Sequence, residues 1–528
     1  MNPTNGEPNL FISALLVTSD HSVWTVANGR VRRAKDGAWV AESEACRDLF
    51  TGYVDRLGLH EDAQGDVWLY HYGKGLFQIE PDGQTHAFGV HDNFPGRRVD
   101  CFFEDREWNI WAGVDRGGLI RLREKRFKLL SPDDAVANAS VTVTEDHAGA
   151  IWLGTFGSGL YRWYENKWQG YFLSTGNQRG YVFSVIGDGV GRIWASAGEE
   201  DLYVSQGGEF RQAVPSVHGV KAILPTRDGK VWVALKSGLG CLTGNNYRQF
   251  QPEDGVRRLE IRALAEDQAG AVWAGAGDGT LYQVVTNRAQ SFVPADERVP
   301  HAIWSLLADT NGVIWVGTFR GGLLRFADGK FVRITQQQGL PDNVICQILD
   351  DQAGNLWMGS QQGVFRVAKS ELNNVAAGKQ ASVRCKAYGL YDGLPSLECS
   401  GGYQPAAWRL RDGRMLFATL RGVAMVEPSS HSANQLPPPV AIEDVWVDGQ
   451  PQGKSTQAGR PASDEKELSA VRLVVPPGKK QVEFRYAGVS LYSPDRVRFR
   501  YRLAPLDKDW IEAGVRRYAQ YSYLKPGD

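Results

Sequence analysis

Short apolar runs punctuated by polar, glycine-bearing turns recur along roughly the first 430 positions of the chain. Four segments align: EDHAGAIWLGTFGSGL at 145–160, EDQAGAVWAGAGDGTL at 266–281, ADTNGVIWVGTFRGGL at 308–323 and DDQAGNLWMGSQQGV at 350–364. They share Asp, any two residues, Gly, any residue, an apolar–Trp–apolar–Gly run, and a polar turn ending in Gly. Weaker copies carry Trp24, Trp68, Trp111, Trp194 and Trp232, and a tenth puts Leu416 at the Trp position. The first nine copies are 38 to 44 residues apart, and the last step is 59. An insertion over residues 366–383, with a short helix around Glu371, accounts for the long step. A period near 42 is that of a four-stranded propeller blade.

The apolar–Trp–apolar run does not alternate, so its strand is buried on both faces. Blades stacked around an axis bury both faces, and no blade can do so alone. The Asp is predicted to accept turn N–H groups. The glycine three residues before the Trp is predicted to supply a left-handed backbone at Gly65, Gly149, Gly191, Gly229, Gly270, Gly312, Gly354 and Gly413. The later glycines, Gly154, Gly275, Gly317 and Gly359, let a neighbouring chain approach closely. One Trp per blade at fixed phase reads as packing between blades rather than as a ligand stripe.

Composition agrees. The chain has 528 residues, enough for two to four domains, with 60 Gly and 17 Trp against 4 Met, as in an all-β chain with frequent turns. A net charge of -1 offers no field for nucleic acid. No apolar stretch reaches membrane-spanning length, and the start shows no signal peptide. The six cysteines form no CxxC, and Cys385–Cys399 is the one local pair that could bridge. The nucleophile elbow, the HExxH metal motif and the phosphate-binding loop do not occur, and the nine histidines are scattered. Asp309–Gly312 begins like a calcium loop but lacks its later ligands. No catalytic residue, metal site or cofactor is expected.

The repeat, strongest at Trp152, Trp315 and Trp357, resembles the two-component regulator propeller repeat over roughly residues 15–430. Beyond the linker Pro437–Pro439 come VAIEDVWVDG, a polar loop at 449–468, and a segment from Val471 with alternating strands. Its Phe499-Arg500-Tyr501-Arg502-Leu503, Trp510, Tyr521-Ser522-Tyr523-Leu524 and Pro526-Gly527 resemble the Tyr-rich (Y_Y_Y) β-sandwich that follows such propellers. The expected fold is all-β: partial propeller blades over 1–137, a seven-bladed ring over 138–434, and an Ig-like sandwich over 435–528. A single ring of nine or ten blades is the competing count. The resemblance implies a sandwich continuing past Asp528 with a further strand, and a membrane helix and an output domain such as a histidine kinase beyond it. It also implies a periplasmic sensor region, a small ligand such as a glycan fragment, a homodimer, and membrane attachment only through the C-terminal continuation.

A binding site would be built from loops at one end of the ring. Phe156 and Phe319 follow Gly-Thr at equivalent positions, and Arg320 stands where another repeat has Gly157. Tyr181, His301 and Trp304 lie on or before the first strand of their blades. Aromatic faces beside an Arg suit a sugar ring carrying an acidic group. These six are the candidate ligand residues. A protein-interaction scaffold is the alternative, and a propeller hydrolase or lyase, with acids paired across the funnel, is the third reading.

Overall fold

The computed structural model describes residues 12–524 except 28–29, 43–56, 81–82, 90–93, 97, 123–124, 133–138, 174–179, 199–200, 207, 296–300, 430–436, 453–474, 476–477, 493 and 495–496. The chain forms two compact units, one of residues 125–432 and one of residues 1–124 with 433–528. Most of the polar loop and the Pro526-Gly527 turn lie outside the described residues. Among the described residues no helix is long and apolar enough to cross a membrane.

Residues 125–432 form seven four-stranded antiparallel sheets. Their innermost strands are Ser140–Glu145, Val182–Gly187, Val220–Pro225, Ile261–Glu266, Ile303–Ala308, Gln347–Asp350 and Ala407–Arg409. Each lies against the next, and the last lies against the first, so the seven close a ring. This excludes a single ring of nine or ten.

Closure draws on a strand from before the ring. Phe127–Leu130 pairs antiparallel with Gly422–Val426, giving the seventh sheet its outer strand. The repeat count places these residues ahead of a boundary at 138. They carry no Asp-Gly-Trp signature, and only pairing reveals their place. Closing a loop of this length costs on the order of 5 kcal/mol of chain entropy. Burial of Phe127 and Leu130 offsets about 3–6 kcal/mol of it. The helix Lys369–Ala376 sits within the expected insertion, between the third and fourth strands of the sixth sheet.

The second strands, such as Ile151–Thr155 and Ile314–Thr318, are buried throughout. Their tryptophans pack between sheets: Trp152 with Val182, Val185 and Ile193, and Trp273 with Ile303 and Leu306. All eight turn glycines take positive φ, between 76° and 96°. The Asp does more than its expected turn role. Asp146 Oδ1 accepts the N–H groups of Ala148 and Ala150 at 2.9 Å, and Oδ2 accepts the Trp152 indole N–H at 2.7 Å. The same Asp–indole bond joins Asp62 to Trp68, Asp105 to Trp111, Asp188 to Trp194, Asp267 to Trp273, Asp309 to Trp315 and Asp351 to Trp357. One carboxylate satisfies the turn and a largely buried indole together, which sets the six-residue spacing.

The weak copies follow the same logic. Thr18 and Thr226 replace the Asp, and their hydroxyls donate to Asp20 and Asp228 at 2.7 Å. In the tenth copy, Leu410 and Leu416 replace acceptor and donor together, and both are buried. Cys385 and Cys399 are free thiols, which corrects the suggested bridge. They belong to different core clusters, and burial pushes both up to about 12.

The other unit holds three N-terminal sheets, two of four strands and one of three, and the C-terminal sandwich. The sandwich pairs Val440–Val447 with Gln481–Gly488 and the latter with Tyr518–Ser522. Phe499–Tyr501 pairs with Ile511–Gly514. Tyr486, Phe499, Ala519 and Tyr521 form its core, with Tyr501 and Leu503 against them. Trp510 stays half exposed beside the guanidinium groups of Arg500 and Arg502.

Candidate functional site

Successive strands of a sheet run up and down, so two kinds of loop meet at one end of the ring. These are the loops joining second to third strands and those joining one sheet to the next. Phe156 and Phe319 directly follow second strands, and Tyr181 and His301 precede first strands, so all four lie at that end. Trp304 is the second residue of its inner strand, near the same mouth.

The mouth has a floor. Before entering the seventh sheet, residues 399–405 run down the ring axis. Ser400 Oγ donates to Ser140 O, and Pro405 O accepts from Val143 N at 2.9 Å and Thr142 Oγ1 at 2.8 Å. Gln404 O accepts Ser184 Oγ, and the Gln404 side-chain amide pairs with both N and O of Leu264 at 2.6 Å. Gln404 also bridges Ala222. A Cβ at Gly401 would sit 2.6 Å from the Trp304 ring and 3.0 Å from Cys346 Cβ. This plug therefore reaches the inner strands of the first five sheets and Cys346 just before that of the sixth, and Ser400, Gln404 and Pro405 O are hydrogen-bonded to the surrounding sheets.

The six candidate residues fall into two groups around the plug. On one side Phe156 meets Tyr181 edge-on at 4.6 Å, Tyr181 stacks on Phe183, and Phe183 stacks on Tyr403 of the plug at 5.2 Å. The Lys221 ammonium lies 5.3 Å from the Tyr403 ring and 5.9 Å from that of Phe183. Phe156 is 47% exposed, so this aromatic ladder runs from the rim to the axis. On the other side Trp304 stacks on Phe319 at 4.5 Å, and the Arg320 guanidinium lies 4.8 Å over Phe319. Arg320 holds φ +69°, a left-handed backbone that costs a non-glycine residue about 1–3 kcal/mol. His301 packs against Gly321, whose carbonyl accepts Arg333 Nη1 at 2.6 Å.

Sequence reasoning missed Phe183, Lys221 and Tyr403. Phe183 and Lys221 sit inside regular first strands, where nothing marks them. Tyr403 lies in the longest step of the repeat, where Gly401-Gly402 and Gln404-Pro405 break the pattern and could have been read as a loop with a purpose of its own.

Carboxylates near the mouth are held by arginines or by backbone N–H groups. Arg262 pairs with Glu260 at 2.6 Å, and Arg257 with Asp278 at 2.7 Å. Asp342 accepts the N–H groups of Val344 and Gln361. The Asp309 carboxylate accepts from Asn311, Val313 and Trp315, so the calcium-like segment is a blade turn. Among the described residues no group of three His, Cys, Asp or Glu side chains could hold a metal.

Residues 299–320 and 339–362 match the family described as two component regulator propeller, and residues 490–528 match the Y_Y_Y domain. The chain thus carries both parts. No curated protein matches it. The fold is similar to the extracellular domain of a hybrid two-component system from B. thetaiotaomicron, with a TM-score of 0.68 at 16% identity over 98% of this chain and 69% of that one. A second B. thetaiotaomicron extracellular domain aligns at TM-score 0.47 and 17% identity, over 99% of this chain and 72% of that one. Virginiamycin B lyase from Staphylococcus aureus aligns at TM-score 0.46 and 12% identity, over 57% of this chain and 98% of that one.

Proposed function

We propose that this chain is the extracytoplasmic, ligand-sensing region of a two-component regulator, and that its ligand docks on the plugged mouth of the seven-sheet ring. The observation that carries the reading is the pair of aromatic groups, each with its cation, meeting at Gly401–Tyr403. Stacked rings offer flat apolar faces to the C–H side of a sugar, and the cations of Arg320 and Lys221 favour an acidic substituent. A glycan fragment bearing a carboxylate or sulfate fits both demands. The regulator repeats, the Y_Y_Y domain and the likeness to an extracellular domain support the sensor reading and its location. The output domain, membrane attachment and homodimer belong to the same proposal.

Catalysis is disfavoured by the plug. Acids paired across the funnel would need the axis, and uncharged Gln404 and Pro405 hold it. Nearby carboxylates are tied to arginines or backbone N–H groups.

The test is calorimetric titration of the chain with uronate-containing oligosaccharides and their neutral counterparts. Acidic fragments should bind, Trp304→Ala should abolish binding, and Arg320→Ala should weaken it at least tenfold. Equal binding of neutral and acidic fragments removes the charge assignment. Binding by no glycan, alongside capture of a protein partner by the same face, favours the scaffold reading instead.

A further inference from the structure

The third N-terminal sheet departs from the repeat at its turn, where residues 105–111 read DREWNIW. Asp105 keeps the usual bonds of the repeat. Its Oδ1 accepts Glu107 N at 2.8 Å and Asn109 N at 3.0 Å, and Oδ2 accepts the Trp111 indole at 2.8 Å. Trp108, however, stands where eight of the other nine copies have glycine and the first has His21, and it holds φ +59°. That region is costly for a bulky residue. The Trp108 side chain is exposed, so core packing does not explain it.

The residue beside it does something no other blade turn among the described residues does. Glu107 is only 5% exposed, and a buried carboxylate persists only when bonded. Its oxygens accept from one turn of the sandwich: Ser490 Oγ at 2.9 Å, Leu491 N at 2.5 Å and Tyr492 N at 2.8 Å. Arg121 Nη1 donates to Leu491 O, and Arg106 Nη2 donates to Pro437 O at 3.0 Å, at the start of the sandwich. Both backbone groups of Leu491 thus end on this sheet. The carboxylate matches the N–H groups of 491 and 492, and the two arginines match the carbonyls.

We propose that this turn is a dedicated docking surface whose partner is the chain's own sandwich, with Glu107 as the residue that holds it. The N-terminal sheets and the sandwich then move as one body, in line with their forming one compact unit. Any displacement of those sheets is handed directly to the domain that follows the linker. If the sensor reading holds, this joint is the exit of the signal, and the dock itself does not depend on that reading.

Hydrogen exchange on the whole chain tests it without a ligand. Glu107→Gln turns an acceptor oxygen into an amide donor facing N–H groups, so exchange at residues 488–492 should rise at least tenfold. Exchange in the Ile151–Thr155 strand should not change. Trp108→Gly, which relieves the backbone but leaves the carboxylate, should keep 488–492 as protected as before. Should Glu107→Gln unfold its own blade, Arg121→Met removes a contact from the other side and should loosen 488–492 alone. Wild-type protection at 488–492 in Glu107→Gln, or in Arg121→Met where the first variant unfolds, overturns the proposal.

Discussion

The Glu145 carboxylate accepts the backbone N–H of Arg411 at 2.9 Å and so ties the first sheet of the ring to the seventh across 266 positions. Arg411 Nη1 returns a bond to His147 O at 2.8 Å. Glu266 makes the same reach to Arg227 N of the preceding sheet, and Glu61 and Glu104 to Ser19 N and Ala63 N. In the Glu-Asp pair that opens these repeats, the Asp serves its own turn and the Glu clasps the sheet before.

Glu145→Ala should therefore weaken ring closure. The bond is exposed, so the loss is about 0.5–1.5 kcal/mol. Exchange should quicken in the closing strand Phe127–Leu130. An unchanged rate there would mean that strand pairing alone holds the ring shut.

Asp188→Ala should cost more, about 2–4 kcal/mol, because it strands the Trp194 indole and two turn N–H groups at once. Asp412→Ala, in the copy that has no indole to satisfy, should cost well under about 1 kcal/mol. Urea unfolding of the two variants decides it, and equal losses would remove the indole bond from the explanation.

Acid should destabilise the protein through the same carboxylates. Burial by itself raises Asp105, Asp188 and Asp351, but their hydrogen bonds outweigh it and leave all three below the usual carboxylate range. The unfolded chain, with carboxyls near about 3.9, then binds more protons than the folded one as pH falls. Their contribution is complete above that value and is lost as pH drops through the lowered native values. The urea midpoint should fall below about pH 4, and Asp188→Asn should flatten that fall. An unchanged slope in the variant would assign acid sensitivity to other groups.

Two glycines of one repeat should fail for different reasons. A Cβ at Gly149 meets nothing closer than 3.9 Å, so Gly149→Val costs backbone strain alone, about 1–3 kcal/mol. A Cβ at Gly154 would lie 2.5 Å from Thr142 Cγ2, 2.8 Å from Val182 Cγ1 and 3.0 Å from Val182 O. Gly154→Val should exceed about 3 kcal/mol, since neither sheet can retreat. Gly154→Ala should already be harmful, and Gly149→Ala milder. The reverse order in thermal melts would contradict the close approach of the first and second sheets.

The repeat was legible because each blade solves the same local problem: a turn needing a left-handed residue, a strand buried on both faces, an indole needing an acceptor. Asp146, Gly149 and Trp152 answer it within seven positions, so one sequence shows it. The all-β class, the period, the helix near Glu371 and the Tyr-rich sandwich follow from patterns of that local kind. Long-range pairing was not legible. Phe127–Leu130 reads as any short strand until it meets Gly422–Val426. Tyr403 and Gln404 belong to an irregular loop until inner strands of the ring surround it. Glu107 differs from the exposed residues of other turns only because Ser490–Tyr492 lies on it. Periodicity reports what a residue owes to its near neighbours. Ring closure, the plug and the sandwich joint depend on partners dozens to hundreds of positions away, which only the folded chain brings into contact.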